Sequence, residues 1–363
     1  QAQALPVIPD APNVDARHYE LLDPNSRQVL AARGAEEKAP PASLTKLMTT
    51  YLVFESLAQG TLKLDQQVPV SVAAWKAGGS TMFLQPNLPA TVEQMIRGMV
   101  VVSGNDAAVA LGEAVAGNSD SFVQMMNATA LQLGMTETHF ESVNGLPNTT
   151  NLVSARDMGL LAEDIMRRFP QYLHYFAEHS FTYNNVTQAN WNPLLFSDPT
   201  VTGMKTGHTD EAGYCLVATA VRNHHPLVAV VLGSTTRKAS AEAAEALLDY
   251  GYRFFETHQA YKAGQAIGTV QNDQASPARI QLGAASDVWA TVPLGRYGAL
   301  KPSLDVPANM TLPLKRGQTV GRLILSDGNR EVAEAPLVTL TAVDKASWLG
   351  HWWNKALTSS HLR

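Results

Sequence analysis

The sequence predicts an α/β domain with a helical middle, followed by a small all-β domain. Strand-like runs lie near the start and again before Phe255, with helical spacing between them, so distant parts of the chain must close one sheet. From about Tyr261 the texture changes to many short strand-like runs separated by Gly, Pro, Asp and Asn. A chain of 363 residues is also too long for one ordinary core and short for three.

Taken in order, "HYELLDPNSRQVLAARG" is two apolar runs around an Asp-Pro-Asn-Ser turn, which predicts a β-hairpin. Helical spacing starts at Leu44 and runs to about Leu57, with Pro40, Pro41 and Ser43 as start signals, so Ser43 should open a helix. "VEQMIRGMVV" predicts a second helix, and "DAAVALGEAVAG" restarts one after the break at Ser103-Gly104-Asn105. "DSFVQMMNATALQLG" and "SARDMGLLAEDIM" extend the helical middle. "AGYCLVATAV" and "PLVAVVLG" then read as strands joined by the polar turn "RNHH", and "SAEAAEALLDYGYRFFE" returns to a helix. The later strands are expected in "QAIGTV", "RIQLG", "DVWATVPLG", "MTLPLKRGQTVGRLIL" and "APLVTLTAV". In "ASWLGHWWNKALTSSHLR", Trp348, Leu349, Trp352, Trp353 and Ala356 share one helical face, opposite His351, Asn354, Lys355 and Thr358. Such a helix packs on its own protein or lies in a membrane interface, and the residues alone leave both open.

Composition removes several function classes. No continuous apolar run reaches 18 residues, so the chain reads as a soluble globular protein without a spanning helix. Lys and Arg number 27 against 32 Asp and Glu, with no basic cluster interleaved with aromatics, which argues against nucleic acid as a partner. Cys215 is the single cysteine, so no internal disulfide forms and the compartment stays open. The chain starts at Gln1 without a basic-then-apolar leader and reads as a processed or trimmed product, with a removed secretory leader possible. Neither a cofactor nor a metal site is expected, since the adjacent histidines of "RNHHP" would point to opposite sides of a strand.

Ser43-Leu44-Thr45-Lys46 puts a hydroxyl and an amine three residues apart, neighbours on one helical face. A serine nucleophile needs a base, and lysine serves only if its pKa falls well below about 10.4. Desolvation or a nearby cation would do this, and Lys205 in "VTGMKTGH" is the candidate cation. A helix start at Ser43 also offers backbone N–H groups to a developing oxyanion. Taken singly, each element has a plainer reading: a chance spacing, a capped turn at Ser103-Gly104-Asn105, and a strand end with a bulge at Lys205-Thr206-Gly207. Their joint occurrence in this order, each in a suitable setting, favours a site. Lys205 and the Thr206 hydroxyl would suit a substrate that carries a carboxylate. Gly207 would let its backbone lie against the strand edge.

The ordered set resembles the S-x-x-K, S-D-N and K-T-G elements of penicillin-binding proteins and class A β-lactamases, with Gly104 in place of the middle aspartate. "KTGHTDEAGY", "GSTMFL", "RGMVVVSGNDAAVAL", "THFESVNGL" and "SARDMGLLA" are similar to the low-molecular-mass penicillin-binding proteins of the 5/6 class, over about Ala16 to Phe255. The resemblance implies an α/β (α+β) β-lactamase/transpeptidase-like domain with a helical subdomain over residues 1–258. It also implies a small all-β sandwich domain over 259–345, and a membrane-anchoring amphipathic helix over 346–363. The implied activity is D-alanyl-D-alanine carboxypeptidase, removing the terminal D-Ala of peptidoglycan stem pentapeptides and acylated by β-lactams, in the periplasm on the outer face of the cytoplasmic membrane. By the same resemblance Ser43 is the acylated nucleophile and Lys46 its base. Ser103 relays a proton to the leaving amine, Asn105 holds the substrate amide and Lys46, and Lys205 supplies the field. Thr206 binds the terminal carboxylate, Gly207, His208 and Leu146 join it in binding substrate, and the N–H groups of Ser43 and His208 form the oxyanion hole. Asn144 stands where some relatives have a histidine, and Trp191 where some carry an arginine thought to help with the substrate carboxylate.

Rival readings are a class A β-lactamase, a DD-endopeptidase cutting cross-links, a non-catalytic β-lactam receptor and a Ser-His-Asp hydrolase. The first needs a glutamate-bearing loop, and neither Glu141 nor Glu163 lies in a Glu-x-x-Leu-Asn setting. The endopeptidase shares all three motifs. A receptor would need a spanning helix and a signalling domain, and neither is seen. The hydrolase has His139, His174 and His208 available but no Gly-x-Ser-x-Gly elbow.

Overall fold

A computed structural model of the chain describes residues 7–146 and 150–347. Pro9–Arg253 form one compact unit, and the chain from Phe254 forms a second.

The first unit is organised by a five-stranded antiparallel sheet of β1 (His18–Leu22), β2 (Val29–Arg33), β3 (Val201–Thr209), β4 (Gly213–Arg222) and β5 (His225–Ser234), in the order β2-β1-β5-β4-β3. The hairpin between β1 and β2 turns on Asp23, whose carboxylate accepts the N–H groups of Asn25 and Ser26 at 2.8 and 2.9 Å. The β4–β5 turn puts Asn223 and His224 in left-handed conformations, φ 49° and 63°, matching the twist of the strands it joins. β1 then pairs with β5, Tyr19 opposite Val231 and Leu21 opposite Ala229, which closes the sheet across most of the unit's sequence. β3 is left at an edge.

Both faces of this sheet are covered, which is why β4 and β5 are near-continuous apolar runs. On one side Leu216, Ala218 and Ala229 pack with Ala244, Leu247 and Leu248 of a helix spanning Arg237–Phe254. On the other, Val217, Val228 and Val230 join a larger core built from the helical middle. In chain order the long helices are α1 (Lys46–Ala58), α2 (Val92–Val101), α3 (Asn105–Ala116), α4 (Ser119–Gln132), α5 (Ala155–Arg168) and α6 (Arg237–Phe254). Capping sets their starts. Thr91 and Gln94 form a capping box ahead of α2, and Asn118 and Ser154 accept N–H groups of α4 and α5. α1 buries Leu47, Met48, Tyr51, Leu52 and Phe54, more than one face, and so runs through the core instead of over it.

The entry to α1 differs from expectation. Ala42 is left-handed at φ 48°, and Ala42–Thr45 form a 3-10 turn, so Lys46 is the first residue of α1 and Ser43 lies in the turn before it. Ser43 and Lys46 remain on the same side.

The second unit is all β. β6 (Phe255–Tyr261) pairs with β9 (Val288–Pro293). A five-stranded antiparallel sheet joins β7 (Ala266–Gln271), β8 (Arg279–Ala284), β10 (Leu300–Asp305), β11 (Thr319–Asp327) and β12 (Arg330–Thr339) in the order β7-β8-β12-β11-β10. Ile280, Leu282, Ala290, Leu323, Leu337 and Val343 supply its core. Two strands depart from the sequence reading. β6 begins inside "YRFFE", one residue past the end of α6. β10 carries Lys301, Pro302 and Ser303, polar letters that suit only an edge strand. "MTLPLK" forms no strand, its Leu314 making an isolated bridge to Val343. The amphipathic helix expected over 346–363 lies almost entirely outside the described residues.

Candidate active site

The 3-10 turn and first turn of α1 bring Lys46 Nζ to 2.8 Å from Ser43 Oγ. Lys46 is fully buried, and its amine also donates to Ser103 Oγ at 3.2 Å and to the backbone carbonyl of Asn144 at 3.2 Å. Ser103 reaches this point because α2 stops at Val101 and α3 starts at Asn105. Between them Ser103 adopts φ 59°, a left-handed conformation costing a non-glycine residue about 1–3 kcal/mol. The break is held by Gly104 N–H donating to Gly98 O at 2.9 Å and Asn105 N–H to Ser80 O at 2.8 Å.

Lys205 of β3 comes from the opposite side. Its Nζ donates to Ser103 Oγ at 2.9 Å and to Thr206 O at 2.7 Å. Ser43, Lys46, Ser103 and Lys205 therefore form one unbroken hydrogen-bonded chain. Burial holds Lys46 well below the ordinary lysine range, and the positive charge of Lys205 lowers it further, against the opposing pull of the Asp106 carboxylate. Burial brings Lys205 down to about 7. A neutral Lys46 has a lone pair for the Ser43 proton, as a general base needs.

A cleft of about 230 Å³ opens in front of Ser43, with Ser103, Thr206, Gly207, Trp191 and Arg237 in its walls. His208 lies in it too, stacked on Tyr214 across the β3–β4 ladder with centroids 3.9 Å apart. β3 has a sheet neighbour on one side only, and its Thr206, Gly207 and His208 reach the cleft. Gly207 also has a reason within the fold itself. A Cβ there would lie 3.0 Å from Ser43 N and 3.1 Å from both Leu44 N and Pro41 O. The absent side chain makes room for the turn that carries Ser43, before any substrate arrives.

Asn105 and Leu146 stand beside the cleft and are not among its lining residues. Asn105 Nδ2 donates to Gly78 O at 2.9 Å, while its Oδ1 is buried with no hydrogen-bond partner among the described residues. The contact expected between Asn105 and Lys46 is replaced by the Asn144 carbonyl. Leu146 is partly exposed, its N–H held by Asn144 Oδ1 at 2.9 Å. Between them Gly145, at φ 91°, passes so close to the Ala42 carbonyl that a Cβ would sit 2.1 Å from it.

Two contributors escape motif reading, and Trp191 has partners that no motif shows. Asp106, next to Asn105, accepts N–H groups of Met82 and Leu84 at 3.0 Å each and the Thr81 hydroxyl at 2.7 Å, which fixes the segment behind Ser80. Cys215 reaches the cleft wall, but burial pushes its thiol up to about 11, so it is no competing nucleophile. Trp191 donates its indole N–H to Val102 O at 3.1 Å and carries the Arg237 guanidinium on its ring face, 4.4 Å from the centroid. Neither Glu141 nor Glu163 lines the cleft: Glu163 is buried against Arg27, and Glu141 pairs with His139 at 3.4 Å. Among the described residues no group of three or more His, Cys, Asp or Glu could hold a metal ion.

Comparison with known proteins gives two family matches: D-alanyl-D-alanine carboxypeptidase over residues 6–236, and penicillin-binding protein 5, C-terminal domain, over 255–345. The chain is 37% identical to D-alanyl-D-alanine carboxypeptidase DacA of Escherichia coli over 352 residues, 95% of this chain and 87% of the relative. Penicillin binding protein 5 of Haemophilus influenzae superposes with a TM-score of 0.88 at 36% identity, over 94% of this chain and all of the other. Penicillin-binding protein D2 of Listeria monocytogenes, in a cefotaxime-bound form, superposes at 0.62 with 29% identity, over 67% of this chain and all of its own.

Proposed function

This chain belongs to the D-alanyl-D-alanine carboxypeptidase family, and from that premise we propose which residues carry each step of its reaction. It is a serine-type carboxypeptidase of the penicillin-binding class, acting on peptidoglycan stem peptides and acylated by β-lactams. The observation that carries the assignment is the hydrogen-bonded chain Ser43–Lys46–Ser103–Lys205, with links of 2.8, 3.2 and 2.9 Å.

Neutral Lys46 takes the proton of Ser43 as Oγ attacks the carbonyl carbon of the penultimate D-Ala. The oxygen of the tetrahedral intermediate is held by the N–H groups of Ser43 and His208, where β3 runs against the nucleophile's turn. The C–N bond then breaks, and the proton passes from Lys46 through the Ser103 hydroxyl to the departing D-Ala amine, while Lys205 holds the hydroxyl from the other side. Water next attacks the acyl carbon and gives its proton to Lys46. Ser43 takes that proton back as the ester opens. Asn105, whose Oδ1 lacks a partner in the described structure, accepts the substrate amide N–H. Thr206 hydrogen-bonds the terminal carboxylate, and Gly207, His208 and Leu146 shape the path of the peptide.

The setting follows from the substrate. Peptidoglycan lies outside the cytoplasmic membrane, so the enzyme works in the envelope, and we assign it to the periplasm, on the outer face of the cytoplasmic membrane, after removal of a secretory leader. On a helix, Trp348, Leu349, Trp352 and Trp353 would share an apolar face, which supports peripheral attachment there. No helix among the described residues is long and apolar enough to cross a membrane. The domain limits 1–258, 259–345 and 346–363 belong to the same proposal.

The test is release of free D-Ala from a peptide ending in Lys-D-Ala-D-Ala, beside a Ser43→Ala control. Release that falls by about 10⁴-fold or more in the control is expected. Penicillin that labels Ser43 without D-Ala release would move the assignment to an endopeptidase, and label on another serine would overturn it.

A further inference from the structure

We infer that Arg237 anchors the substrate's terminal carboxylate, held for that task on the faces of Trp191 and Tyr214; the inference rests on the carboxypeptidase reading above. Arg237 opens α6, and its side chain shares the walls of the Ser43 cleft with Thr206 and Ser240. Its guanidinium lies 4.4 Å from the Trp191 ring centroid and 5.9 Å from that of Tyr214. Two aromatic faces fix the plane of the fork without using its N–H donors. Among the described residues those donors have neither a hydrogen bond nor an ion pair, and no Asp or Glu lines the cleft. Elsewhere in the unit partly exposed arginines find carboxylates: Arg222 pairs with Asp198 and Asp249, Arg168 with Glu55, and Arg97 with Glu178. An arginine held over aromatic rings beside a nucleophile, with every donor open, awaits an anion.

The charge balance of the cleft points the same way. Lys205, the other cation near Thr206, is buried and already committed to Ser103 and the Thr206 carbonyl, and its pKa of about 7 leaves it part neutral at physiological pH. Arginine keeps its charge throughout. The carboxylate would therefore take the Thr206 hydroxyl on one side and a charge-assisted pair from Arg237 on the other, leaving Lys205 to the proton relay. Trp191 and Tyr214 are positioning residues in this arrangement.

The experiment compares two peptides ending in D-Ala-D-Ala, one with a free carboxylate and one as the C-terminal amide, in wild type, Arg237→Gln and Arg237→Lys. The expected result is a loss of about 10- to 100-fold in kcat/KM for the free acid in Arg237→Gln, a partial recovery in Arg237→Lys, and a change under about 2-fold for the amide. Equilibrium binding of both peptides to Ser43→Ala, with and without Arg237→Gln, reads the same contact without turnover. Equal losses for acid and amide, or no loss for either, would overturn the assignment. Absence of D-Ala release from the free acid by wild type would instead fail the carboxypeptidase reading itself.

Discussion

The two units of the chain treat charge in opposite ways. In Pro9–Arg253 the interior holds Lys46, Lys205, Asp106, Glu20, Glu163, Asp157 and Asp164, each buried. In the unit from Phe254 the buried polar side chains are the hydroxyls of Thr291 and Thr339, and the ion pairs of Arg322 with Asp305 and Glu334 lie on the surface. Taking a charge out of water is expensive and lowers stability unless partners compensate. Lys46, Lys205 and Asp106 carry that cost at the Ser43 site, where it serves chemistry, whereas Glu20, Glu163, Asp157 and Asp164 are not among the cleft residues and bear it elsewhere in the fold. Among the described residues of the second unit no charged side chain is fully buried, so that unit bears little of the cost.

Removing a buried cation from the first unit should therefore have the largest effect. Lys46→Ala is expected to lower acylation by labelled penicillin about 10³-fold or more, because base and relay partner vanish together. In wild type the acylation rate should rise with pH as Lys46 loses its proton, through a midpoint well under that of free lysine. A flat profile from about pH 6 to 10 would remove Lys46 from the role of base. Gly207→Ala comes next, with a loss of about 10- to 100-fold in acylation, since the new methyl must push β3 away from the Ser43 turn. Unchanged kinetics would mean that the turn yields without disturbing the nucleophile.

Stability should separate the units more gently. Desolvation raises Glu20 to about 7, against the pull of Arg156. A carboxyl raised in the fold adds stability that is full below its unfolded value of about 4.5 and is lost as pH rises through about 7. Glu20→Gln should thus gain about 1–3 kcal/mol relative to wild type at pH 8 and much less at pH 5, read from denaturant melts. Equal effects at both pH values would refute burial as the cause. Arg322→Met in the β unit is the contrasting case: unchanged D-Ala release at every pH, and a smaller stability change that added salt masks.

What could be read from the letters follows the same division. Ser43 and Lys46 were legible because three residues along a helix guarantee proximity. Ser103 and Lys205 became legible through motif order, and the structure brings both to the same amine. The Asn144 carbonyl that anchors Lys46 was not legible, because a backbone oxygen has no letter of its own. Arg237 was missed because it opens a helix far from any motif, and its significance depends on two rings from other parts of the chain. The edge strand β10 was hidden by Lys301 and Pro302, residues that only an unpaired edge tolerates. Gly207 was singled out for the substrate's backbone, while its close contact with the enzyme's own Ser43 turn was not legible, because sequence does not show which segment lies against a strand.

The pairing of β1 with β5 has a consequence for the order of events in the cell. Tyr19 meets Val231 across the sheet, so the layer against which α5 packs is complete only after the chain through Ser234 is available. Until that sheet closes, Ser43 in its 3-10 turn and Lys46 at the start of α1 lack the β3 wall and Lys205. Such long-range closure is slow relative to local helix formation. Reactivity toward penicillin is therefore expected only once the sheet of the catalytic unit has closed.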